Sequence, residues 1–451
     1  MPEADKKKKQ FMQEKIIGRQ KTRKSIIKRA GIFVVTAVLF GVIVTATFVC
    51  LRPWMESKLG KGPKKETAQV TIPKDEPEIE SDIEPEIEPE TMEVETSVPE
   101  ETTEIETTTE MMLEDKIQEV LVGYEFTMDD LQNIYSGLRK VVMQADKGIV
   151  KIRSVSQDVD WFDNLIEKEG QFSGALIAKT EDELIFMTPL QATQGADTLE
   201  IFLPNGTVVN GHVKQRDGHT GIAILSANVH EIEETDLANL VPIPLGNSWS
   251  VGQGDLVIAV GSPVGRVHSS MLGAVTYMEK NVRVTDGMTR ILYTDMECIS
   301  DKGTFLLDKK GQLIGWITEH PDVENDENTE IKYSVAYGIS DYKSILEKLT
   351  NGIPVPYLGI LGQEVTEDMI TGGMPAGVYV VQCQNDSPAY TVGIQNGDII
   401  TELNGNQVQT MKEYQLQMES FQSGQNIVVK VMRNGRDEYK EIVFNVTLGN
   451  R

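Results

Sequence analysis

Between Thr294 and Trp316 the chain reads TDMECISDKGTFLLDKKGQLIGW, and five consecutive positions of it hold a thiol, a hydroxyl and an amine: Cys298, Ser300 and Lys302. Each is a group that can attack a carbonyl or carry a proton, so the chemistry to test first is acyl transfer. On a strand-like segment Ser300 and Lys302 share a side, the spacing of a serine–lysine pair. A lysine base must be desolvated to give up its proton, and Asp301 stands beside this one; the bland reading makes Lys302 a solvated turn residue. Cys298 would need a histidine at hand. The five histidines are His212, His219, His230, His268 and His320, and none is adjacent in sequence. Ser262, in VGSPVG, lacks the G-x-S-x-G elbow and reads as a turn residue.

The elements that must position these groups are mostly strands. From Lys147 onward short runs such as IVKIRSV, GALIAK, ELIFMT, TLEIFLP, GIAILSA, DLVIAVG, GTFLLD and QLIGWIT are separated by Asn-Gly, Asp-Gly and Lys-Gly turns. Many short strands at this spacing predict a sandwich or barrels and not a parallel sheet with crossover helices. About two hundred residues of them, 147–348, suit one double barrel. From 352 to 451 strands alternate with one short and one longer helix, which predicts an α+β domain of about one hundred residues. Ahead of the strands, DDLQNIYSGLRKVVMQADKG places Leu131, Ile134, Leu138, Val141 and Val142 at helical spacing, with Asp129 or Asp130 as cap, so 116–146 is a helical lead-in.

The N-terminal part is organised by charge. Residues 1–29 hold eleven Lys and Arg against three Asp and Glu, and 30–51, AGIFVVTAVLFGVIVTATFVCL, carry no charge. That span is long enough to cross a bilayer core as a helix, and its length and the Arg52-Pro53-Trp54 flank predict an uncleaved signal anchor. The basic tail then stays in the cytoplasm and the folded domains lie outside the cell membrane as a single-pass protein. From Lys74 to Asp115 there are eighteen acidic residues and one basic one. Too little apolar surface is present there to offset chain entropy, so 52–115 is expected to be a disordered, self-repelling acidic linker. The formal charge of −26 excludes nucleic acid as a partner, because phosphate binding needs clustered Lys and Arg. Three cysteines show neither a disulfide framework nor a metal pattern, and no phosphate-loop or dinucleotide signature occurs. No cofactor is implied.

The quoted motifs resemble the membrane-anchored HtrA/DegP-type serine proteases, a trypsin-like double β-barrel followed by a PDZ domain. YLGI, residues 357–360, is similar to that family's carboxylate-binding loop, and SPAYTVGIQNGDIITELNG is similar to its S-P-A-x-x-A-G-[IL]-x-x-G-D signature, with Val392 where alanine is usual. In the barrel the layout is similar but the chemical residues differ. Thr188 and Gly195-Ala196-Asp197 set the register, so Gln191 occupies the position of the family's histidine base. Gly221 stands where its aspartate belongs, and Lys302 stands at the serine position of a loop one residue shorter.

The resemblance therefore implies a degenerate triad. Glutamine has no useful basicity near neutral pH and glycine has no side chain to orient a base. Loss of even one triad member costs several orders of magnitude in rate. The expected function is that of a pseudoprotease which binds C-terminal peptides or unfolded envelope proteins. Tyr357, Leu358, Gly359 and Ile360 would receive the ligand carboxylate, and the Ile360-Leu361 strand edge would pair with its backbone. Tyr414, Leu416, Met418 and Phe421 on the following helix would divide between groove and core. The protein would serve as scaffold, adaptor or modulator in protein quality control, as a homotrimer or beside an active relative. The alternative is an active endopeptidase using Ser300 with Lys302.

Overall fold

The computed structural model describes residues 68–75, 127–159, 165–318, 333–436 and 438–451. The expected cytoplasmic tail and membrane anchor lie outside them, as do residues 116–126 of the lead-in and most of the acidic linker. Among the described residues no helix is long and apolar enough to cross a membrane.

The lead-in is helix α1 (Met128–Ala145). Its cap is Thr127 and not Asp129 or Asp130. The Thr127 hydroxyl accepts from the Asp130 amide while the Asp130 carboxylate accepts from the Thr127 amide, which satisfies two end amides at once. Leu138, Val141 and Val142 pack on the barrel core, whereas Leu131 and Ile134 of the same predicted stripe are exposed.

Strands β1 (Ile149–Val159), β2 (Leu165–Lys179), β3 (Glu183–Pro189), β4 (Thr198–Phe202), β5 (Val208–Asn210), β6 (His212–Asp217) and β7 (Ile222–Asn228) form the first barrel-type sheet, in the order β5-β4-β1-β2-β3-β7-β6. Short helix α2 (Glu234–Asn239) follows. The second barrel closes from β8 (Leu256–Gly261), β9 (Ser269–Val284), β10 (Gly287–Thr294), β11 (Thr304–Leu307), β12 (Leu313–Ile317) and β13 (Ser334–Gly338). β3 and β7 are buried at nearly every position, and so are β11, β12 and β13. Their continuous apolar runs reflect cover on both faces, not the in–out alternation of a one-sided sheet.

Helix α3 (Lys343–Thr350), absent from the strand-only reading, links the barrels to the C-terminal domain and buries Leu346 and Leu349. That domain comprises β14 (Pro356–Tyr357), β15 (Ile360–Glu364), α4 (Glu367–Thr371), β16 (Val378–Cys383), α5 (Pro388–Val392), β17 (Ile399–Leu403), β18 (Asn406–Gln407), α6 (Met411–Ser420), β19 (Asn426–Asn434), β20 (Tyr439–Thr447) and β21 (Gly449–Asn450). It has three helices where the pattern suggested two, since α4 is a single turn without a stripe to mark it. The sheet order is β15-β16-β17-β19-β20, with β18 on β17 and β14 paired to β21.

Residues 68–75 fall inside the expected disordered linker, yet they are docked. Asn351 brackets Val70, accepting from its amide at 2.9 Å and donating to its carbonyl at 2.7 Å. Ile72 is buried in the barrel core, and Asp75 pairs with the buried Lys343 at 2.7 Å. The physical reason is composition: Val70 and Ile72 precede the acidic run and give this piece apolar surface to bury.

Candidate functional site: a cleft between barrels and a carboxylate cradle

The cleft is built by three backbone arrangements. Pairing of Pro189 with Ile222 across β3 and β7 brings the turn Leu190–Thr193 beside Gly221, and the Leu190 amide donates to the Gly221 carbonyl at 2.8 Å. Pairing of Thr304 with Gly261 fixes the start of β11 against β8. The Lys302 and Gly303 carbonyls then accept from the Ser173 and Ser262 amides at 2.8 and 2.9 Å, clamping the loop before β11 to both barrels.

Gln191, Gly221, Ser300 and Gly303 line the resulting cavity with Trp316 and Thr318. Its space for the centres of water-sized probes is about 20 Å³, enough to hold a water molecule. Trp316 is buried at its wall and donates from its indole nitrogen to the Thr220 carbonyl at 3.2 Å. Gly221 has φ +69°, and a Cβ on it would come within 3.3 Å of Thr318 Oγ1.

Lys302 does not present its amine as a free group. Its Nζ lies 3.3 Å from Asp301 Oδ2 and 4.7 Å from the centre of the Phe172 ring. Cys298 is half-buried, and burial pushes its thiol up from its ordinary value, opposed in part by a hydrogen bond with Ser334. A thiol so shifted is a poorer nucleophile at neutral pH. His219 is stacked on Tyr357, ring centres 5.0 Å apart. Ser262 opens a turn, as expected, with its carbonyl accepting from the Gly265 amide at 2.9 Å; it is also buried, and its hydroxyl lies 2.6 Å from that of Ser173.

The second site is the loop 357–360. The Leu358, Gly359 and Ile360 amides converge on one carboxylate, that of Asp286 at the β9–β10 turn. Leu358 donates to Oδ2 at 2.8 Å, Gly359 to Oδ2 at 2.9 Å and to Oδ1 at 3.0 Å, and Ile360 to Oδ1 at 3.1 Å. The Tyr414 hydroxyl, from α6, adds a fifth bond at 2.9 Å. Complete burial first, and then the adjacent Asp286 charge and this bond, hold the Tyr414 phenol well above its ordinary value. Gly359, at φ +91°, has to be glycine, because a Cβ would collide with Ser387 and lie 2.8 Å from the Tyr357 ring. The edge of β15, expected to be open, is paired: Thr285 bridges Leu361 and the Asp286 amide donates to the Ile360 carbonyl at 2.8 Å.

Residues 356–443 match the PDZ domain family. The putative serine protease HhoB of Synechocystis sp. is 28% identical over 293 residues, and the alignment covers 60% of this chain and 65% of that protein. The serine protease Do-like HtrA of Bacillus subtilis is 24% identical over 335 residues, covering 70% of this chain and 71% of the relative. Over its barrels and C-terminal domain the chain is similar to HtrA/DegP-type serine proteases, and it carries a PDZ domain. Among solved structures, HtrA-type protease AlgW with decapeptide is 19% identical and has a TM-score of 0.49, covering 69% of this chain and 98% of that one.

The structure gathers Gln191 and Gly221 with Ser300 in one cleft and turns the Lys302 ammonium onto Phe172. It gathers Leu358, Gly359 and Ile360 as one cradle, while Tyr357 contributes its ring to His219. Of the α6 positions, Tyr414 and Met418 are buried, as is Phe421 just beyond the helix, but Leu416 is 54% exposed and belongs to neither core nor cradle. Asp286 escaped sequence reasoning. Thr285-Asp286-Gly287 has the composition of an ordinary hairpin turn, and nothing local says where its carboxylate points.

Proposed function

We propose that this HtrA-type chain is a pseudoprotease that binds polypeptide through its PDZ domain and acts as a scaffold, adaptor or modulator in envelope protein quality control. The observation that carries the reading is the composition of the inter-barrel cleft. Gln191, Gly221 and Ser300 line it together, with neither an imidazole nor a carboxylate among its lining residues. Acyl transfer needs a base beside the nucleophile, and this lining supplies none. The PDZ cradle depends on backbone amides and not on the triad, so loss of hydrolysis leaves it intact. Its natural ligand is then the carboxylate end of a peptide or unfolded protein, paired along β15.

Anchoring through residues 30–51 and an extracytoplasmic location complete the proposal and rest on the charge pattern of the first 51 residues. Homotrimer formation, or assembly with an active relative, is the quaternary arrangement we propose by resemblance.

The test uses the full chain in detergent, incubated with unfolded casein and a fluorophosphonate serine probe. No cleavage and no labelling are expected. Cleavage that co-purifies with the chain and vanishes in Ser300→Ala or Cys298→Ala would overturn the reading and name the nucleophile.

A further inference from the structure

The PDZ cradle already holds a ligand, and that ligand belongs to the same chain. We propose that the β9–β10 hairpin is the resident pseudo-ligand of the PDZ groove, with the Asp286 side chain standing in for a C-terminal carboxylate, and that free peptides bind only by displacing it. The proposal rests on the peptide-binding reading of the cradle and adds how access to it is controlled.

Three features separate this contact from ordinary domain packing. The first is completeness: the Asp286 carboxylate takes four bonds from three successive amides and a fifth from Tyr414, and the residue is 9% exposed. Three backbone donors pointing at one spot form an anion-binding concavity, and a buried one left empty would be costly. The second is backbone mimicry. Thr285 pairs antiparallel with Leu361, and the Asp286 amide bonds the Ile360 carbonyl, so the hairpin arm extends the sheet at β15 as an added peptide strand would. Flanking residues follow the groove: Arg283 donates to Gln363 at 2.7 Å, Met288 packs on the PDZ core, and Gln415 of α6 donates to the Met288 carbonyl at 3.2 Å. The third is conformation. Asp286 sits at φ +57°, a left-handed backbone that aspartate tolerates in a tight turn. A chain that must continue past the cradle cannot offer a terminal carboxylate, and this turn delivers a side-chain one instead.

A groove filled from within binds an outside peptide with an affinity reduced by the fraction of time the hairpin is undocked. Removing the carboxylate while keeping the turn raises that fraction. Asp286→Asn preserves size and the left-handed preference but loses the charge shared by five donors. Asp286→Ala removes the acceptor altogether.

The experiment uses the full chain in detergent with two fluorescent decapeptide pools randomised at the last three residues, one with free and one with amidated C-termini. Hydrogen exchange at the Leu358, Gly359 and Ile360 amides is followed in parallel. In the wild type we expect protected amides and weak binding of the free-carboxylate pool. In both Asp286 variants we expect faster exchange and at least about tenfold tighter binding of that pool, with the amidated pool unaffected. Equal affinity of wild type and variants for the free-carboxylate pool would overturn the internal-ligand proposal while leaving peptide binding in place. Absence of binding by every form, with the variant amides exposed to exchange, would overturn the peptide-binding reading itself and the displacement model with it. Thermal melts of the variants exclude a trivial loss of fold as the source of faster exchange.

Discussion

Arg451 and Asp217 form an ion pair that joins the strand end of the PDZ domain to the turn ahead of Gly221. Arg451 Nε lies 3.3 Å from Asp217 Oδ1, their side chains are 6% and 0% exposed, and Nε lacks hydrogen-bond alignment, so the contact is Coulombic. At that separation and an effective dielectric of about 20 the attraction is on the order of 5 kcal/mol, much of it offset by desolvation of both groups. Breaking one side is therefore expected to cost more than the pair contributes. Arg451→Met leaves a buried carboxylate uncompensated and should destabilise the protein by about 3–5 kcal/mol. Asp217→Asn strands the guanidinium but keeps the Oδ1 acceptor for the His219 amide, which donates to it at 2.9 Å. In the double variant neither charge remains, so the two costs should fall short of adding by about 2 kcal/mol. Urea unfolding followed by circular dichroism reads this directly, as a midpoint lowered by about 1–2 M in Arg451→Met. A shift below about 0.3 M, or a cycle in which the two substitutions simply add, would refute the claim that this pair clamps the two parts together.

Rebuilding the triad by combining Gln191→His, Gly221→Asp and Lys302→Ser should yield no casein cleavage above a buffer blank. The left-handed backbone at Gly221 costs a substituted residue about 1–2 kcal/mol, and Thr318 stands 3.3 Å from the new Cβ; measurable turnover would show that the cleft is less filled than the geometry requires. Cys298, whose thiol burial holds above its ordinary value, should alkylate slowly with iodoacetamide at pH 7 and faster as pH rises toward its thiolate range. Labelling at pH 7 as fast as a free cysteine, measured by mass spectrometry, would contradict this. Gly359→Ala should lower stability by about 2–4 kcal/mol through strain and collision with Ser387, and should abolish peptide capture; an unchanged melting curve would argue against the tight cradle. Ile72→Ala should release residues 68–75 at a cost of about 2–4 kcal/mol, read as new proteolysis before Asp75, and continued protection would mean that the Asn351 bonds suffice to hold the segment.

Much of this protein was legible in its sequence, because the signals involved are local. Alternating short strands with Asx-Gly turns point to the β-rich barrels, and the resemblance of YLGI and SPAYTVGIQNGD to the family's motifs points to the PDZ loop and α5. Thr188 and Gly195-Ala196-Asp197 place Gln191, and the Asp217–Leu225 stretch places Gly221, at two positions of the family's triad by resemblance, and both line the cleft. The capping of α1 was only half legible, since Thr127 lies two residues ahead of the periodic stretch. What tertiary structure alone decided depends on partners remote in sequence. Asp286 meets amides more than seventy residues away, Arg451 finds Asp217 on another domain, and Lys302 settles on Phe172 rather than over the cleft. An Asp-Gly turn has the same composition whether its carboxylate faces water or three amides. Local preference fixes that the chain turns there, and only the packing of PDZ domain against barrel fixes what the turn holds.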